Sequence, residues 1–206
     1  MPAMNNLPPL TERIEKGAPG GHEFERLLNQ LLIAFADAQG FEYEPAGGAG
    51  GDGGVDGLAR RGGVAGFDGP VAFQCKWLWG GIHKSPKAGQ ITDSLERAAV
   101  AFPDIRHYVL ITPHDLTPAE KKWLLALKPR PKLTVHHWGQ ARVEGLLREH
   151  APKLFARYYP HEAATALPGP QAAPARRTTG ALVSIGGKAK VRDVKVIHTV
   201  KGNVTM

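Results

Sequence analysis

One short run restricts the fold more than any other. Pro70 to Trp77, PVAFQCKW, is apolar enough to lie inside a sheet, yet it carries a glutamine and a lysine two positions apart. Side chains on a strand alternate between faces, so Val71, Phe73, Cys75 and Trp77 share one side while Ala72, Gln74 and Lys76 share the other. An amide and an amine projecting together from a buried strand are costly unless both find partners. The preceding run, Val55 to Arg61, reads as a second strand that brings Asp56 alongside, with Gly62 to Gly69 as the turn between the two. A carboxylate, an amide oxygen and an ammonium then converge at one end of a hairpin.

The flanking sequence says what covers that hairpin. From His22 to Gln39, Phe24, Leu27, Leu28, Leu31, Leu32 and Phe35 recur at three- and four-residue spacing, which lines them along one helical face. A short extended piece, Phe41 to Glu44, and a glycine-rich loop, Gly47 to Gly54, lead into the hairpin. Lys87 to Phe102 has helical spacing and is closed by Pro103, and Arg106 to Thr112 is a buried-strand run. Thr117, Pro118 and Glu120 form an N-terminal helix signature for a helix reaching Leu127. Lys132 to His137 reads as another strand, and Gly139 to Tyr159 as a helical stretch that Pro152 ends or kinks. Helix, hairpin, then alternating helices and strands predict an α/β sandwich with a central mixed sheet flanked by helices.

A chain of 206 residues buries one sizeable core with room for an appendage. The expected division is an N-terminal extension (1–19), one α/β domain (20–160), an alanine- and proline-rich linker (161–178) and a basic, β-rich tail (179–206). The formal charge of +7 favours a polyanionic partner, but residues 161–206 hold seven Lys/Arg against two Asp/Glu, so most of the excess belongs to the tail. Cys75 is the only cysteine, which excludes an intrachain disulfide and a thiolate zinc cluster and fits a reducing cytoplasm. Met1 to Leu10 lacks an export signal, and the richest apolar stretch, Leu27 to Ala36, is interrupted by Asn29 and Gln30, so neither export nor membrane insertion is expected.

Hydrolysis of a phosphodiester requires charge neutralisation at the phosphate, an activated water and positioning of both. Asp56 and the Gln74 side-chain oxygen are hard ligands suited to Mg²⁺ or Mn²⁺, and the backbone carbonyl of Cys75 adds a third. Lys76 is placed to orient or deprotonate the attacking water, or to stabilise developing negative charge.

Three stretches in the same order, Gly21-His-Glu-Phe-Glu-Arg-Leu-Leu28, Gly51-Asp-Gly-Gly-Val-Asp-Gly57 and Phe73-Gln-Cys-Lys-Trp77, resemble the Mrr-type branch of the PD-(D/E)xK restriction-endonuclease-like nucleases. The resemblance covers roughly residues 20–150 and does not extend to the tail. It implies a restriction-endonuclease-like fold and a Mg²⁺-dependent endonuclease acting on DNA, duplex DNA above all, in a prokaryotic restriction or antiviral defence role. It assigns the family's aspartate to Asp56, its Glu-or-Gln position to Gln74 and its lysine to Lys76. A helix glutamate joins the metal site in the family; Glu25 is the better positional match, with Glu23 the alternative. Gln74 in place of the commoner glutamate removes one negative charge and weakens metal binding.

Blander readings stand beside these. Gly48 to Gly53 matches GxGxxG, but the β-like run that follows, rather than a helix, argues against a dinucleotide turn. Asp56 alone reads as a turn residue, with Asp52 as its substitute in the catalytic role. Cys75 belongs in the core beside Phe73. His136 and His137 are strand neighbours facing opposite ways and do not readily share one metal. Trp79, Lys84 and Lys87 follow the catalytic strand and are candidate nucleic-acid contacts, with core closure as the rival role for Trp79 and the favoured one for Trp77. The tail, 179–206, is expected to act in homo-oligomerisation or partner binding by strand addition, or else as a DNA-holding arm. A second function class is a nuclease-fold protein without activity that binds nucleic acid or serves assembly.

Overall fold

The computed structural model describes residues 9–14, 18–46, 53–61, 63–64, 66–127 and 131–166. All of them fall in the unit Met1–Leu167. Asp52, most of the glycine-rich loop, the linker beyond Ala166 and the 179–206 tail lie outside the described residues.

Helix α1 (Leu10–Arg13) precedes the long α2 (Ala18–Gln39), after which come β1 (Glu42–Pro45), β2 (Gly57–Arg61) and β3 (Val71–Cys75). The chain continues through α3 (Lys87–Ala101), β4 (His107–Ile111), α4 (Pro118–Ala126), β5 (Thr134–Trp138), α5 (Gln140–His150), α6 (Pro152–Tyr158) and α7 (Pro160–Ala166). The five strands form one mixed sheet in the order β1-β2-β3-β4-β5. β1, β2 and β3 pair antiparallel, whereas β3, β4 and β5 run parallel, joined by crossovers through α3 and α4. The result is an α/β sandwich with helices on both faces.

The alternation read from the sequence decides which residues serve which face. Val71, Phe73, Cys75, Val109 and Ile111 enter one core with the apolar stripe of α2 and with Val143, Leu146, Leu147 and Phe155 of α5 and α6. Ala72, Tyr108, Leu110 and Val135 enter the other, with Ile91, Leu95 and Ala98 of α3 and Leu124 of α4. β3 and β4 are buried along their whole length, as strands covered on both faces must be. β1 is an edge, and its exposed Glu42 and Glu44 with Pro45 are the kind of residues that discourage further strand pairing.

Local signals account for most boundaries. α2 begins at Ala18, four residues before the expected His22, because Pro19 is tolerated in a first turn whose N–H groups have no intrahelical acceptor. Thr117 caps α4: its side chain accepts from the Glu120 N–H while Glu120 returns the bond to the Thr117 N–H, a complete capping box with Pro118 at the first position. Pro152 ends α5 and starts α6, since proline cannot continue the first helix but suits the opening of the second.

Two segments differ from the sequence reading. Part of the expected N-terminal extension is core structure: Leu10 and Ile14 are buried in the core that also holds the apolar stripe of α2. The start of the expected linker is helical: Pro160 opens α7, alanines favour its continuation, and Glu162 pairs with Arg13 at 2.9 Å. Neither feature shows as apolar periodicity, because each segment is too short. No described helix is long and apolar enough to cross a membrane.

Candidate active site

The hairpin register carries Asp56 to the end of β3. Gly57 lies opposite Phe73, and the Asp56 N–H donates to the Phe73 carbonyl at 2.8 Å, so the next side chain out from the ladder faces Gln74 and Cys75. Asp56 Oδ2 accepts from the Cys75 backbone N–H at 2.5 Å and from Gln74 Nε2 at 2.6 Å. Gln74 Nε2 also donates to the Cys75 carbonyl at 3.2 Å. Asp56 and Gln74 are 6% and 3% exposed, so this cluster is shielded from bulk water.

The sequence reading expected the amide oxygen to face the carboxylate; the amide nitrogen does so instead. The reason is electrostatic. Between two oxygens, one of them on a carboxylate, an NH₂ group supplies two donors, and an oxygen would be repelled. Turning the amide over would place its oxygen, the Asp56 carboxylate and the Cys75 carbonyl around one point. That donor set is all hard oxygen, which fits Mg²⁺ or Mn²⁺ and does not fit a thiolate-seeking metal. Among the described residues no group of three or more His, Cys, Asp and Glu side chains has metal-binding geometry, so any cation here depends on the amide and the backbone carbonyl.

Lys76 follows directly. Its N–H continues the sheet by donating to the Ile111 carbonyl at 2.9 Å, and its side chain is half-buried. Glu25, on the half-buried flank of α2, contributes with Asp56 to the negative field at both Cys75 and Tyr43. Glu23 is engaged elsewhere: it accepts from the Tyr158 hydroxyl at 3.2 Å and lies 3.9 Å from Arg26. Of the two helix glutamates, Glu25 is the one beside the cluster. Cys75 is a buried core residue as expected; burial, then the charges of Asp56 and Glu25, push its thiol well above the usual range, with Lys76 opposing. It is held as an unreactive thiol.

Tyr43 and Asn29 also stand here, and the sequence reading passed over both. The Tyr43 hydroxyl donates to Asn29 Oδ1 at 2.6 Å, and its ring meets Phe73 edge-on at 5.9 Å. Burial first, then the neighbouring Cys75, Asp56 and Glu25, raise its pKa, so the phenol is neutral. It lies across Gly57, where a Cβ would overlap the hydroxyl and ring. The available signal was Asn29 itself, a polar interruption on a helix otherwise apolar toward the sheet.

The segment after β3 carries the candidate substrate contacts. Trp77 packs on the core, 5.2 Å from the Phe24 ring, and Trp79 stands edge-on to it at 5.2 Å with 40% of its surface exposed. Lys84 is exposed. Lys87 is less available than expected, because its ammonium donates to the carbonyls of Trp79 at 3.1 Å and Gly80 at 2.7 Å. The Trp77 indole N–H is buried without a partner among the described residues. His136 and His137 do diverge: His136 meets His107 at 3.0 Å, and His137 meets Thr112 Oγ1 at 2.7 Å. No family model matches the chain, and no match was found among curated proteins or solved structures.

Proposed function

We propose that the chain is a Mg²⁺- or Mn²⁺-dependent endonuclease of the restriction-endonuclease-like type, hydrolysing phosphodiester bonds of duplex DNA. The observation that carries the reading is the meeting of Asp56, the Gln74 amide and the Cys75 carbonyl at the end of a buried strand, with Lys76 the next residue. Asp56, Gln74 (with its amide turned over) and the Cys75 carbonyl are the groups to hold the cation, and Glu25 the neighbour that adds negative charge. Bound there, a divalent cation supplies charge neutralisation at the scissile phosphate and acidifies water. Lys76 orients that water or offsets charge developing on the phosphate. Trp79 and Lys84, both exposed, are the side chains proposed to stack on a base and pair with a phosphate. A restriction or defence role follows from the family resemblance alone, whereas oligomer or partner contacts through residues 179–206 are proposed from the β-rich sequence of the tail and a cytoplasmic setting from the lone cysteine.

One observation favours a second reading. The Gln74 amide already satisfies Asp56 without a cation, as suits an inactive nuclease-fold module that only binds nucleic acid. Nicking of supercoiled plasmid separates the two. Mg²⁺-dependent nicking that Lys76→Ala abolishes is the result expected of the enzyme. Equal activity in wild type and variant rejects the assignment, and DNA binding with no cleavage in either supports the second reading.

A further inference from the structure

The segment 76–86 leaves β3 at the candidate site and returns to α3 across the surface, where a loop needs anchors to hold one shape. Besides the Lys87 ammonium on the Trp79 and Gly80 carbonyls, its side-chain anchors are His114 and Glu120. His114 Nδ1 lies 2.9 Å from the Leu78 carbonyl, and the Gly80 N–H donates to His114 Nε2 at 3.2 Å. A carbonyl only accepts and an N–H only donates, so these two bonds define the ring: neutral, with its proton on Nδ1 and a bare Nε2. The imidazole thus grips the loop backbone two and four residues beyond Lys76.

Glu120 adds a second hold. Its Oε2 serves the capping box, accepting from the Thr117 N–H at 2.9 Å and hydroxyl at 2.7 Å. Its Oε1 reaches out of the helix to accept the Ile82 N–H at 3.0 Å, across 38 residues of sequence. A cap at a helix start works at the surface, yet this carboxylate is 1% exposed, which is costly for a charge and is offset by these donors. Thr112 fixes the turn behind His114 by donating to the His114 carbonyl at 2.9 Å.

We infer that His114, backed by Glu120, is a positioning residue that holds the loop carrying Lys76 and Trp79 in its working shape. Placing a proton on Nε2 removes the acceptor for Gly80 and loosens the loop. The charged and titratable groups around His114 are Glu120, whose Oε1 is 3.9 Å from Nε2, and His137, whose ring is centred 6.5 Å away, with Asp115 adjacent in the chain and Lys121 acting on His137. The inference rests on the nuclease reading only where it speaks of catalysis.

The test uses the full chain with His114→Ala and His114→Gln, because a glutamine amide offers both donor and acceptor ends, as the neutral ring does. Three quantities are read: amide exchange at Gly80 and Ile82, Trp79 emission assigned by comparison with Trp79→Phe, and kcat and KM for plasmid cleavage. His114→Ala is expected to speed exchange, alter the Trp79 emission and lower kcat by roughly 10- to 100-fold, the scale of a misplaced catalytic group, with KM changed less. His114→Gln restores all three in large part. Unchanged exchange and emission in His114→Ala, or a His114→Gln variant as impaired as His114→Ala, overturns the inference. Wild type that fails to cut DNA removes the nuclease reading alone, and the exchange and emission data still decide the role of His114.

Discussion

Gly57→Ala tests whether the packing around Asp56 is as tight as the geometry indicates. A Cβ on Gly57 meets the hydroxyl and ring carbons of Tyr43 at overlapping distances. The flexible part of the contact is the Tyr43 side chain, so the phenol must swing away. Leaving its place breaks the 2.6 Å bond to Asn29, worth about 1 kcal/mol, and the edge-on contact with Phe73, worth roughly 0.5–1.5 kcal/mol. Overpacking strain adds about 1 kcal/mol or more. The expected loss is about 3 kcal/mol, or roughly 6–12 °C in Tm for a chain of this size. Urea unfolding of Gly57→Ala, Tyr43→Ala and the double variant measures it. Once Tyr43 is truncated there is nothing for the new methyl to strike, so the double variant should be about 3 kcal/mol more stable than the sum of the single losses. Strict additivity, or a Gly57→Ala loss below about 0.5 kcal/mol, would refute the reasoning.

Further outcomes follow from the same structure. Burial first, then the neighbouring His114 imidazole, holds the His137 pKa at about 4, below its ordinary 6.5. As pH falls the unfolded chain therefore takes up this proton first, and stability declines between about pH 6.5 and about pH 4, by roughly 2 kcal/mol once partial exposure is discounted. His137→Gln should flatten this part of the stability profile measured by urea unfolding at pH steps across that window; an unchanged profile contradicts it. Gln74→Glu sets two carboxylates side by side and removes both amide donors from Asp56 and Cys75. Without divalent cation the variant should melt lower than wild type, and Mg²⁺ should restore it by binding the folded form. A melting temperature indifferent to Mg²⁺ counts against a cation site there.

What could be read from the sequence was local. The alternation in PVAFQCKW fixed which residues of β3 face which core, and Thr117, Pro118 and Glu120 announced the start of α4, because strand period and helix capping are set by neighbours a few positions apart. Asp56 was reachable because the hairpin that joins it to Gln74 is short. The partners that escaped notice depend on packing between elements that no hairpin register links: Tyr43 with Asn29, Glu120 with Ile82, and Arg13 with Glu162 across 149 residues. The amide orientation at Gln74 was hidden for another reason. Which end of an amide faces a carboxylate depends on every donor and acceptor around it, and residue type alone does not carry that information.

The cluster at the end of β3 can be addressed in one measurement, an anomalous difference map from crystals of the full chain grown with Mn²⁺. The account predicts a peak about 2.1 Å from oxygens of Asp56, Gln74 and Cys75, with the Gln74 amide turned over to present its oxygen. A featureless map, with the Gln74 nitrogen still bonded to Asp56, contradicts it.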